Sequence, residues 1–118
     1  MSFPAKANFN IKANGYWEKV WKIYNLGEPM DLSGYSFELE VKITRGKDSP
    51  RILNLTMGSG IEVDDPLTGE ITVTIPPMPD LKKTKTYAYD FIAIKNSKAT
   101  VWIQGLMTFD PGVSYYGS

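Results

Sequence analysis

From Tyr35 to Ile43 the odd positions are apolar: Tyr35, Phe37, Leu39, Val41 and Ile43. The even positions, Ser36, Glu38, Glu40, Lys42 and Thr44, are polar. Successive side chains of a strand point to opposite faces, so this stretch predicts a strand with one buried and one wet face. A helix would scatter the same apolar groups around its circumference.

The same period recurs along the chain. Glu70 to Ile75 sets Ile71, Val73 and Ile75 against Glu70, Thr72 and Thr74, and Arg51 to Met57 offers Leu53, Leu55 and Met57. Thr86 to Ile94 places Tyr87, Tyr89, Phe91 and Ala93 on one side and Ala88, Asp90, Ile92 and Ile94 on the other, which predicts a strand covered on both faces. Thr100 to Phe109 sets Val101, Ile103, Met107 and Phe109 opposite Trp102, Gln104, Leu106 and Thr108. Trp17 to Tyr24 is rich in aromatic and β-branched residues but alternates poorly, which leaves its register open. Phe9 to Lys12 reads as a short first strand.

Turn chemistry separates these runs: Asn14-Gly15, Leu26-Gly27-Glu28-Pro29, Ser33-Gly34, Gly58-Ser59-Gly60, Asp65-Pro66-Leu67-Thr68-Gly69 and Asn96-Ser97. About seven strands at regular spacing predict an all-β antiparallel sandwich or barrel. Phe37, Leu39, Val41, Ile71, Val73, Tyr89, Phe91 and Ile103 are its expected core. The connection from Pro76 to Lys85 begins Pro-Pro-Met-Pro and must leave the sheet, with room for one helical turn around Asp80 to Lys83. Tyr87 and Tyr89 follow it, where sandwiches place a tyrosine whose hydroxyl ties a loop to a strand. The 118 residues fit one domain with a core over about 9–112 and short arms at both ends.

Composition narrows the chemistry. Neither Cys nor His occurs, so disulfides, thiolate nucleophiles, imidazole bases and the commonest zinc ligands are missing, and an enzyme is disfavoured. No cofactor or metal is expected. Glu62, Asp64 and Asp65 invite a calcium reading, but their spacing matches no EF-hand loop, and Asp-Asp-Pro before Leu-Thr-Gly reads as a turn. Glu38 and Glu40 lie on a wet strand face rather than across a cleft, as a glycosidase pair would. Thirteen Lys and Arg balance thirteen Asp and Glu, and the densest basic cluster, Lys82, Lys83 and Lys85, is too small to suggest nucleic acid. No apolar run is long enough for a spanning helix, and no membrane partner is expected.

Trp17, Trp21 and Trp102 suit either the core, a subunit interface or a sugar-stacking platform. Phe3, Tyr115 and Tyr116 lie outside the alternating body, on segments holding Pro4, Pro111, Gly112 and Gly117. These ends are either floppy tails or arms that order against a neighbouring subunit, and the three aromatics are the candidate protein-interface residues.

The order of motifs resembles a known group. Gly-Tyr-Trp-Glu-Lys-Val-Trp at 15–21 leads into Glu28-Pro29-Met30-Asp31-Leu32-Ser33-Gly34-Tyr35, then Gly60-Ile61-Glu62-Val63, Leu67-Thr68-Gly69-Glu70-Ile71, Thr74-Ile75-Pro76, Tyr87-Ala88-Tyr89-Asp90-Phe91 and Gln104-Gly105. Over residues 9–112 this series is similar to small tailed-bacteriophage and prophage virion structural proteins, among them the N-terminal domain of siphophage baseplate upper proteins. The resemblance implies an immunoglobulin-like β-sandwich. It also implies a non-catalytic virion part, made in the host bacterial cytoplasm and present in many copies. Its partners would be other virion proteins and further copies of itself, as a tail, neck or baseplate adaptor or a capsid decoration component. The alternative is a carbohydrate-binding module on the virion surface, which would need an exposed platform of coplanar aromatics.

Overall fold

The computed structural model describes residues 4–46 and 48–112. Their strands are β1 (Ala5–Lys6), β2 (Phe9–Lys12), β3 (Trp17–Lys22), β4 (Tyr24–Asn25), β5 (Glu28–Pro29), β6 (Ser36–Lys42), β7 (Arg51–Met57), β8 (Gly60–Glu62), β9 (Glu70–Ile75), β10 (Lys85–Lys95) and β11 (Lys98–Asp110). All seven expected strands are present. One 3-10 turn at Pro66–Thr68 is the only helical element among the described residues. The helical turn allowed around Asp80 does not form; a tight turn closed by Leu81 N–H donating to the Met78 carbonyl takes its place.

The main sheet runs β1-β11-β10-β6-β7-β8-β9-β3, with β2 also on β11, and it curls over on itself. Its long pairings are antiparallel, while β1 and β2 run parallel to β11. β7 and β8 pair parallel over two residues, Thr56 with Gly60 and Met57 with Ile61, across the Gly58-Ser59 turn, where the chain passes from one layer to the other. The result is two layers, β11-β10-β6-β7 facing β8-β9-β3. That is the G-F-C-C′ over D-E-B order of an immunoglobulin-like sandwich, with the N-terminal strands laid along G.

The core explains how such a sandwich closes without cysteine. Antibody-type domains tie strand B to strand F by a disulfide packed against a tryptophan on C. Here Trp21 on β3 meets Phe91 on β10 edge to face at 4.7 Å, and Phe37 on β6 stacks on Phe91 at 5.4 Å. Phe37 and Phe91 sit at positions that alternation aims inward, and burial of such side chains is worth roughly 1.5 to 3 kcal/mol each. All eight expected core residues are buried.

Two departures from strict alternation have local causes. A bulge slips β11 by one residue against β10, between Phe91–Ile103 and Ile92–Val101. Trp102 is the extra residue, so it and Ile103 are both buried, and Trp102 packs on Tyr35 and Phe37. On β3, Trp17 and Trp21 face inward, and Lys19 between them shares their face yet stays exposed. β3 is an edge strand, and a charge on the inner face keeps such an edge from pairing with another chain.

Candidate interaction surfaces

The first surface is the seam where the N-terminal strands meet β11. Ala7 N–H donates to the Gln104 carbonyl, and Asn8 Oδ1 accepts from Leu106 N–H at 2.9 Å. Gly105 is what lets the segment approach: a Cβ there would lie 1.9 Å from the Ala7 carbonyl oxygen. From inside the sandwich the Tyr89 hydroxyl donates to that same carbonyl at 2.8 Å. Burial raises the Tyr89 pKa, because the phenolate would lose its hydration. Tyr89 lies two residues before Phe91, the tyrosine-corner position of the fold, but it ties down the N-terminal segment rather than the crossing loop. Tyr87 instead packs on Phe109.

Arg45, in the turn after β6, crosses β10 to reach this seam. It pairs with Asp90 and donates to the carbonyls of Gly105, at 2.8 Å, and Tyr89, at 3.2 Å. A planar guanidinium with five donors can hold two strands this way, which an ammonium cannot. At the far end of the seam Lys12 pairs with Asp110, whose carboxyl is held below its usual pKa by that lysine and by Gly112 N–H.

Asp65, Glu38 and Glu40 make structural contacts. Asp65 caps the 3-10 turn by accepting from Leu67 N–H at 3.0 Å. Glu38 and Glu40 lie on the outer face of β6 beside Arg51, Lys42 and Asn54. Among the described residues no group of three or more Asp, Glu, His or Cys is placed to hold a metal ion.

The two ends of the sandwich differ. At one end the connection from β3 to β6 is pinned at its base by buried Ile23 and Leu32, whose N–H groups donate to the Gly69 and Pro66 carbonyls. Beyond this base the β4–β5 hairpin projects, turning at Leu26-Gly27 with φ of 53° and 81°. Two positive φ values define a type I′ turn, whose first position suits Asn, Asp or Gly. Leu26 occupies it and is 91% exposed. Tyr24 and Leu67 are the other large exposed apolar side chains at this end, beside the carboxylates of Glu28 and Asp31. Asp31 is held below its usual pKa by hydrogen bonds from Ser33, the side chain first and the backbone N–H second. Lys95 at the same end lies over the Tyr35 ring, 4.7 Å from its centroid.

At the opposite end the 76–84 connection and the first residues of β7 and β10 enclose a shallow depression. Ile52, Met78, Leu81 and Tyr87 form its apolar floor, and Lys82, Lys83 and Lys85 outnumber Asp80 on its rim. Alternation located the strands that frame it, but spacing alone could not bring Ile52 and Leu81 together.

Of the aromatics singled out in the sequence, Trp21 and Trp102 are core and Trp17 is partly buried against Phe9. Phe3, Tyr115 and Tyr116 lie outside the described residues. Neither a protein-family model nor a curated protein matches this chain.

Proposed function

We propose that this chain is a non-catalytic bacteriophage virion structural protein, a tail, neck or baseplate adaptor or a capsid decoration component that works through protein–protein contacts. The reading rests on the motif series over residues 9–112 and on one observation. A domain whose core is already filled turns Leu26, Leu67 and Tyr24 outward on the loops of one end. An exposed aromatic or aliphatic side chain that can fill a partner's pocket is what an interface uses as an anchor. Asp65, Asp90 and Arg45, by contrast, are engaged in holding strands and turns together. The carbohydrate-binding alternative has no comparable support. Two of its three tryptophans are buried in the core, and Tyr16 and Tyr24, the aromatics most exposed among the described residues, lie at opposite ends of β3.

The test is the composition of purified particles. Antibody against the folded domain is expected to label particles released from the host that carries the gene, at a fixed stoichiometry to the major capsid protein. Deleting the gene is expected to leave particles that are incomplete or fail to mature. Clean particles without this chain overturn the reading.

A further inference from the structure

We propose that copies of this chain associate head to tail, with the Leu26 tip of the β4–β5 hairpin of one copy seated in the lysine-rimmed apolar depression at the other end of the next. The tip is a conformational outlier with nothing local to explain it. Leu26 adopts a left-handed φ of 53° that asparagine or glycine would take with less strain, and it turns nearly its whole side chain to water. Neither feature helps the hairpin, and both present a leucine as a knob on a short two-stranded stalk.

The depression matches the knob in chemistry. Its floor is apolar, and its rim carries the lysine surplus of Lys82, Lys83 and Lys85 over Asp80. The knob is flanked by Glu28 and Asp31, and Lys95, over the Tyr35 ring, is the one cation beside them, so two carboxylates face one ammonium. Carboxylates beside the leucine therefore meet lysines around the floor, a complementarity that sets orientation as well as attraction.

The positions fix the mode of assembly. The hairpin follows the end of β3 that pairs with the start of β9, and the depression lies where β9 has ended and β10 begins. Knob and socket thus sit at opposite ends of a domain 42 Å long. A contact between unlike surfaces repeats, and generates a ring or an open stack rather than a closed two-fold dimer. The inference extends the proposed protein–protein role, but it stands or falls on solution behaviour alone.

Sedimentation velocity across a concentration series tests it, with melting curves as the folding control. The wild-type chain is expected to grow past a dimer as concentration rises, and less so in high salt. Leu26→Asn is expected to melt no lower than wild type, since Asn-Gly suits the turn, yet to weaken association roughly tenfold or more. The double variant Lys82→Glu, Lys83→Glu, which spoils only the socket, is expected to stay monomeric. Mixed one to one, the two variants should form a dimer and nothing larger, because each supplies the half that the other lacks. A wild-type chain that stays monomeric or stops at a dimer overturns the proposal, as does a Leu26→Asn variant that associates like wild type. Those outcomes leave the virion role to be decided by particle composition.

Discussion

Tyr89 does two things at one position: its ring fills the core between the layers, and its hydroxyl reaches out to the Ala7 carbonyl. The two roles separate experimentally. Tyr89→Phe keeps the ring and removes one hydrogen bond at the seam, so the loss is about 1 kcal/mol, the net worth of such a bond. Amide exchange at Ala7 should speed up roughly fivefold, the equivalent of that loss, while exchange in β6 and β10 tracks only the global change. The variant should also lose part of the alkaline sensitivity of wild type. The folded-state pKa of Tyr89 lies above its unfolded value of 10.0, so the stability linked to the neutral phenol is full below that value and is lost as pH rises past it. Gly105→Ala is a harsher change on the same seam. Its methyl would occupy the space of the Ala7 carbonyl, so the segment must move off β11. A melting temperature within a degree or two of wild type for Gly105→Ala would show that the seam contributes little to the fold.

Among the elements, β3 carries the least regular alternation, and the reason is Lys19. An inward-facing lysine between Trp17 and Trp21 breaks the pattern that would have fixed its register, and on an edge strand it also discourages pairing with another chain. Lys19→Val should therefore leave the fold intact or slightly stabilised while raising aggregation on heating, read by light scattering; unchanged scattering would remove the protective role. β6 and β9 were legible because each has a clean two-residue period and a single buried face, and β10 because both of its faces are apolar. Strict alternation sets Trp102 opposite Ile103, and the bulge in β11 that buries both leaves no mark in that period. β8 was missed since three residues after a bend hold too little pattern to distinguish from a turn. The loop-tip knob was harder still. Leu26-Gly27 read correctly as a turn, but only the backbone geometry reveals that leucine stands where asparagine belongs.

At the scale of the whole molecule, the chain closes on itself through its first and last strands, and a charged pair sits at that closure. β2 lies parallel to the end of β11, and Lys12 pairs with Asp110 on the solvent side of the last matched residues. Lys12 and Gly112 N–H stabilise the carboxylate, so the folded-state pKa of Asp110 falls below the ordinary 3.8. A depressed carboxyl pKa contributes stability that is present above the unfolded value and is lost as pH drops through the folded one. Asp31 shifts in the same direction through Ser33, at the other end of the sandwich. With no histidine in the chain, no side chain of ordinary pKa titrates between these carboxylates and the N-terminal amine. Stability should therefore be nearly flat from about pH 5 to 7 and fall below about pH 4. Asp110→Asn separates the closure from the rest. It keeps an acceptor for Gly112 N–H but loses the charge, so it should be less stable than wild type near neutrality and converge with it as the wild-type carboxyl protonates. Denaturant midpoints measured across pH for both chains decide the matter. A gap between them that persists unchanged in strong acid would assign the effect of Asp110 to packing or hydrogen bonding, and the electrostatic closure of the N- and C-terminal strands would be wrong.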